Sequence, residues 1–563
     1  MTPQITQAAP RILRLALAVY LSVATALSLP AQSANSAATR PPQPAPGGPC
    51  RIAGALVNAV TGEPVRRATV EVLAVENSRT VESVSSDAEG HFSLDRLPAA
   101  KYQLTASKRG FRTAFYDEHD EFSTAIVTGA DQDTSHLIFR LIPGAILRGV
   151  ISGSGGDPVE GARVMLFKRP LHPRQGERTA QADAAITDDA GAYEFSNLTA
   201  GEYLLAVVAE PWYALHGTQG PPRPRLAMSP ANSELDVVYP VTYYDSSTEE
   251  SGATPIVLAT GARDEANMTL HAVPAMHFSI EVPHRPDGSV SHAELRQTVF
   301  GVDVADRGSD FSSIRQDETM EFSGVAPGHY ELVQGEPPRV VDLDLSSGQQ
   351  IDPSAGTPSY AIAGTLRTTS GQPLAEDLNL TLNRFDEGRG QNQYTTIAHR
   401  DGRFGFEAVT PGTFTLTAVS GNRMLPIVSS GPSNAQHAGN ILTLRDRPLN
   451  LVVNVSESST RIDGVARKDG KGFAGAMIVL LPKDPRAWPA LTRRDQSDSD
   501  GTFGLRDVAP GQYILLAIAD GWALDWSRPA QMARYLTQGS AVTVTDRSGA
   551  TVHLASPVVV QTR

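Results

Sequence analysis

Few residues in this sequence have types and spacings that could do chemistry, and they fall into three groups. The first is the stretch YDEHDEF, Tyr116 to Phe122, where four carboxylates surround His119. It would be a first place to look for a bound zinc ion, although a charge run of this kind is ordinarily a solvated loop. The second is DQSDSDG, Asp495 to Gly501, where Asp498, Asp500 and the later Asp507 could offer oxygen ligands to calcium. Gln496 stands where such a loop starts with Asp, and Asp507 where a bidentate Glu is expected, so a plain turn is the stronger reading. The third group is aromatic: Trp212, Tyr213, Trp522 and Trp526, with Tyr239, Tyr243 and Tyr244 in a Pro-rich insert. Exposed rings stack on sugars or on peptide side chains. Phe111, Trp212 and Trp522 each follow a recurring glycine by 21 residues, and that shared register also suits rings capping the ends of their own domains.

Catalytic vocabulary is otherwise missing. None of the 13 histidines has Glu three positions on, the nearest pair being His284 and Asp287. HExxH, the GxSxG elbow, the P-loop and CxxC are absent, and GSGG at Gly153 to Gly156 reads as a hairpin loop because no lysine-led helix follows. No catalytic residue, no metal and no cofactor is expected.

The elements that must position these residues are announced by repetition. DGTFGLRDVAPGQYILLAI, from Asp500, has apolar residues at 2, 4, 7, 12 and 14 positions after Gly501. The same register gives Gly90, Phe92, Leu94, Leu97, Tyr102 and Leu104; Gly191, Tyr193, Phe195, Leu198, Tyr203 and Leu205; and Gly402, Phe404, Phe406, Val409, Phe414 and Leu416. A worn copy runs from Glu318 to Leu332. Period-two alternation is a strand with one face on a core, and the PG or AG between the two runs is a corner. A DG, AG or EG ahead of each copy reads as the close of a preceding hairpin. A second motif lies upstream of each copy, clearest in IAGALVNAVTGEPVRRATVEV from Ile52. A third follows, as in AIVTGADQDTSHLIFRLIPG from Ala125 and PIVLATGARDEANMTLHAVP from Pro255, and reads as a hairpin leading into the next copy. Copies recur every 84 to 127 residues, a domain length, so the sequence predicts five β-sandwiches in tandem and little helix after residue 34.

Bulk properties agree. At 563 residues, with 48 glycines, 40 prolines and 40% apolar residues, the chain suits several turn-rich β domains. Its net charge of −13 and only six lysines argue against nucleic acid as a partner. Arg11 and Arg14, the apolar run Leu15 to Leu29 and the small residues Ala31 to Ser33 read as an export signal, the run being short for a bilayer span, with an uncleaved anchor as the other reading. Cys50, the only cysteine, can form neither an intrachain disulfide nor a thiolate metal site.

The motif GxPVxxAxVxV at Gly62 to Val72, DAEGHFSLDRL at Asp87 to Leu97 and YQLTA from Tyr102 together resemble the carboxypeptidase regulatory-like domain. The resemblance implies a transthyretin-like (prealbumin-like) sandwich, found beside zinc carboxypeptidase domains and in tandem in exported proteins of Gram-negative bacteria, and says little about function. An isopeptide-bonded sandwich is the rival fold, but the early strands RIAGALV, ILRGVIS, AIAGTLR and RIDGVAR carry no lysine to form that bond.

The expected organisation is a signal peptide (1–33), a Pro-rich linker (34–49) and five sandwiches at 50–143, 144–271, 272–356, 357–450 and 451–563, the third degenerate and the second carrying the Pro/Tyr-rich insert. The expected role is a non-catalytic exported scaffold, spacer or binder in the periplasm, on the outer surface or secreted. Glycans or cell-envelope proteins are the expected partners, and no membrane span is expected in the mature chain. The alternative is a carbohydrate-binding protein using aromatic platforms, with a peptidase the remaining choice.

Overall fold

The computed structural model describes residues 48–563 except 130–131, 171–178, 215–233, 282–292, 305–311, 315–318, 335–338, 346–355, 387–392, 422, 458–459 and 546–548. The export signal, most of the linker and the His284–Asp287 pair lie outside the described residues.

The fold is all-β. Five large buried clusters each draw on one stretch of chain: Ile52 to Leu141, Ala145 to Leu270, Ile280 to Leu345, Ile362 to Val455 and Ile462 to Val560. The stretches around them are called modules one to five below. The alternating residues of the repeated motif supply these cores, and Phe92, Leu94, Tyr203, Leu205, Phe404, Phe406, Phe503 and Leu505 are all buried.

Module one shows the plan. Its strands are β1 (Cys50–Asn58), β2 (Thr69–Ala74), β3 (Arg79–Ser85), β4 (His91–Leu97), β5 (Lys101–Ser107), β6 (Ala114–Phe115), β7 (Ile126–Val127) and β8 (Leu137–Leu141). One sheet has the order β4-β1-β8, and the other the order β3-β2-β5-β6 with β7 also on β5. β1 runs antiparallel to β4 and parallel to β8. Cys50 opens β1, half-buried against the module's core.

Three local readings change. The DG-type turn closes no hairpin, because β3 and β4 lie in opposite sheets, so the turn carries the chain across the sandwich. The stretch from Ala125 is also no hairpin, since β7 pairs with β5 and β8 pairs with β1. The same split holds for Ile256–Leu258 and Arg263–Glu265, and for Ile441–Leu444 and Leu449–Val455. A parallel pair needs a crossover rather than a tight turn, which is why the polar loop between these strands is there. Strand Leu449–Val455 pairs with Tyr360–Thr368 along its whole length, so module four runs past the boundary expected at 450. Helix is scarce, as expected, and its longest described piece is Pro529–Leu536 of module five, which buries Met532 and Tyr535 beside Trp488. Proline at its first turn and apolar residues three apart are the signals that mark it.

The recurring glycine has a physical cause. Gly90, Gly191, Gly402 and Gly501 all have φ between +70° and +84°. A Cβ there would stand 2.3–2.6 Å from the carbonyl oxygen of Leu56, Ile151, Leu366 or Ala466 on the first strand. Handedness and close approach therefore both require glycine. The recurring tyrosine ties the corner. The hydroxyls of Tyr102, Tyr203, Tyr330 and Tyr513 each donate to the carbonyl four residues back, on Pro98, Thr199, Ala326 and Ala509. Module four has Phe414 there, and Arg384 lies over that ring and donates to Thr410 and Pro411 at the same corner.

Candidate functional site

The first two chemically suggestive groups meet in one place, together with Trp522 and Trp526 of the third, although some 370 residues separate the acidic loop from the turn. The YDEHDEF loop of module one packs against the DQSDSDG turn and Trp522 of module five. Loop and turn are held by their own modules. The Asp498–Gly501 turn is fixed by hydrogen bonds from Gly501 N to Asp498 O and from Asp498 N to Thr502 O, and the loop by reciprocal bonds between His119 and Phe122.

At one end of the contact, the Lys101 ammonium donates to Asp498 Oδ2 at 2.6 Å and to Thr502 Oγ1 at 2.7 Å. The backbone joins in. Ala125 N donates to Asp498 Oδ1, Val127 N to Ser499 Oγ at 2.8 Å, and Ser499 N to Ala125 O at 2.9 Å. In the middle, the Gln496 amide donates to Asp117 O, Asp117 Oδ2 and Thr124 Oγ1, and its oxygen lies 3.2 Å from His119 Nδ1. Gly475 must be glycine here, since its φ is +73° and a Cβ would lie 2.6 Å from Asp117 Oδ2. At the other end, Arg494 donates to Asp120 Oδ2 at 2.8 Å and to Glu121 Oε1 at 3.1 Å. Its side chain is only 8% exposed. The guanidinium also lies 5.0–6.0 Å from the ring centroids of Phe122, Trp522 and Trp526. The imidazole of His119 stacks on Trp522 at 5.2 Å and 9°. A buried cation paired with two carboxylates and covered by rings is worth more than an exposed pair.

Electrostatics follow burial. The Asp495 carboxyl, beside this contact, is pushed up to about 6 by burial, which outweighs the N–H groups of Gly504 and Gln496 that it accepts. Burial also raises Asp498, against the pull of Lys101.

The arrangement reassigns several residues. Asp498 receives a lysine where a calcium loop would receive the ion. Asp500 caps its own turn by accepting from Thr502, and Asp507 accepts from Arg423 of module four at 2.9 Å. These three carboxylates therefore do not converge, and no group of three metal-ligating side chains occurs among the described residues. Phe111, Trp212 and Trp522, alike in register, differ in fate. Phe111 packs on its own core, Trp522 is clamped between modules, and Trp212 is 87% exposed. Tyr213 lies edge-on to Trp212 at 5.7 Å and is also exposed. Tyr239 and Tyr243 are a correction. At 6% and 5% exposure they are core residues rather than exposed platforms, and Tyr244 is half-buried against the same module. Trp526 is half-buried over Arg494. Sequence reasoning missed Lys101, Arg494 and Gln496. The scarcity of lysine was the one usable sign, because a lone Lys on a core-flanking strand of an acidic chain has carboxylates to find.

Residues 51–141 match the family model of the carboxypeptidase regulatory-like domain. No curated protein matches the chain. Among solved structures, the chain is similar to the Bacillus anthracis TIE protein at 10% identity, covering 88% of this chain and 68% of that one, with a TM-score of 0.15. It is similar to the minor pilin GBS52 of Streptococcus agalactiae at 13% identity, covering 42% and 99%, with a TM-score of 0.21. It is also similar to the shaft pilin SpaA of Lactobacillus rhamnosus GG at 7% identity, covering 40% and 99%, again with a TM-score of 0.21. Scores this low carry no argument about role. No helix among the described residues is long and apolar enough to cross a membrane.

Proposed function

We propose that this chain is a non-catalytic, exported scaffold whose β-sandwich modules are closed on themselves by a clasp between the first and the last. The observation that carries the reading is the clasp itself: Lys101 to Asp498, Val127 to Ser499 and Arg494 to Asp120 join residues at opposite ends of the chain. Closure turns a string of modules into one body of set size. An extended spacer would leave each module free to move relative to the next, the default for domains joined by short linkers. The acidic loop at His119 and the Asp498 carboxylate, which looked chemical, are engaged in holding this contact, which supports a role without catalysis. Export is supported by the Arg11 to Ser33 segment. Small-angle X-ray scattering of the mature protein tests the reading. The parent should give a compact particle, and a Lys101→Glu/Arg494→Glu variant a longer maximum dimension with unchanged β content. A parent as extended as the variant would overturn it.

A second reading, glycan binding, is favoured at one place by the exposed Trp212–Tyr213 pair. Tryptophan emission during polysaccharide titration, repeated with Trp212→Ala, tests it. Emission unchanged by any glycan rejects it.

A further inference from the structure

The seam between modules four and five holds a second concentration of charge, and its sign is opposite to that of the protein. A cleft of about 410 Å³ opens there, lined by Arg423, Arg493, Arg506 and Asp507. Three guanidinium groups thus face one carboxylate in a chain whose net charge is −13. Asp507 is taken by Arg423 at 2.9 Å. Arg493 donates only to carbonyl oxygens, those of Asp507, Ala490 and Thr492. Burial pulls its guanidinium below the usual arginine value. Arg506 is exposed and makes no ion pair among the described residues. A half-buried cation with no carboxylate of its own costs free energy that an anion in the cleft would recover.

The neighbouring pocket shows what else the anion carries. It has about 320 Å³ and shares Thr417, Asn440 and Pro489 with the first. Its remaining lining sets the hydroxyls of Thr415 and Ser527 and the amide of Asn383 around the Trp526 ring, with Arg384 there buried and paired with Asp386 at 3.0 Å. On the shared wall Asn440 is buried. Its Nδ2 donates to Leu416 O at 2.8 Å, while its Oδ1 has no hydrogen-bond partner. That leaves a buried acceptor, which a hydroxyl reaches only if the Asn440 side chain turns toward the cleft. Arginines beside an aromatic ring, hydroxyls and amides suit a polyhydroxylated ring bearing a carboxylate.

We propose that the cleft between modules four and five binds an acidic saccharide. Its carboxylate pairs with Arg493 and Arg506, and its ring lies along the Asn440 wall toward Trp526. The site faces module four whereas the clasp faces module one, and the two share Trp526, which also lies over Arg494. The charge of the whole protein would disfavour such a ligand at long range, but within a Debye length of about 10 Å the three local arginines dominate.

Calorimetric titration of the mature protein with digalacturonate, with the neutral digalactose and with inorganic phosphate tests the proposal. Digalacturonate should bind at least about tenfold more tightly than either of the others. Arg506→Glu, at an exposed position with no side-chain hydrogen bond or ion pair among the described residues to lose, should weaken binding by about tenfold or more, and Arg506→Lys by less. Absence of digalacturonate binding, equal affinity for digalactose or phosphate, or full binding by Arg506→Glu would each overturn it.

Discussion

The same turn is built in modules two and five, and it does different work in each. In module two Asp188 begins it, and its carboxylate accepts from Ala190 N at 3.0 Å and Ala192 N at 2.8 Å, so the turn is closed on itself. Asp87 does the same in module one. In module five the equivalent residue is Asp498, in the same backbone frame. There Asp500 caps the turn instead, through Thr502. That shift of two residues frees Asp498 to accept from Lys101 and Ala125 of module one. A repeated turn thus becomes an intermodule contact without a change of fold, because one extra carboxylate takes over the local task.

If the frame is common, damage to it should fall on the damaged module whatever the turn's further use. Phe503→Ala, beneath the turn of module five, should cost about 3–5 kcal/mol in that module by calorimetry. A melting temperature within a degree or two of the parent would mean the strand register is wrong. Gly191→Val and Gly501→Val should each cost at least about 2 kcal/mol, since both place a Cβ against a strand carbonyl at positive φ. Unequal losses would break the equivalence of the two turns.

The uses of the turn should separate under smaller changes. Arg494→Ala should cost about 2 kcal/mol, less than a fully buried pair, because Asp120 and Glu121 keep solvent access. Its loss should appear as independent melting of module one rather than as unfolding of module five. Asp188→Ala should cost module two about 1 kcal/mol, the loss of a local cap. Asp498→Ala should leave the core of module five intact and loosen only the clasp.

The remaining effect is electrostatic. The Asp495 carboxyl titrates near 6 in the folded protein against an ordinary 3.8. The folded chain therefore holds this proton more tightly than the unfolded one. The stability this group contributes is present below about pH 4 and lost as pH rises through 6. A carboxyl-carbon resonance of Asp495 with a midpoint near 4 would remove that contribution.

Much of the fold was legible because it rests on local signals repeated several times. Alternation exposed the core strands, and the recurring glycine marked a close approach that any other residue would block. Sheet assignment was less legible. Period-two patterns show which face of a strand is buried but not which strand it pairs with, so Ile126–Val127 and Leu137–Leu141 read as a hairpin when they lie in opposite sheets. The helix at Pro529 was masked by its brevity. Site legibility was partial for a related reason. The clasp residues were conspicuous as types, but the acidic loop at Asp117 and the turn at Asp498 each looked self-contained. Nothing in either stretch says that a partner lies at the far end of the chain. Trp522 and Trp212 share a register and differ only in what stands beside them.

Closure of the chain is tested most directly by amide hydrogen exchange at three residues. The N–H groups of Ala125, Val127 and Ser499 donate across the clasp, whereas Thr128 N donates within module one to Ala100 O. Closure predicts that all four amides are protected in the parent. It also predicts that Arg494→Glu releases Ala125, Val127 and Ser499 while Thr128 stays protected. Free exchange of Val127 and Ser499 in the parent, beside a protected Thr128, would contradict it.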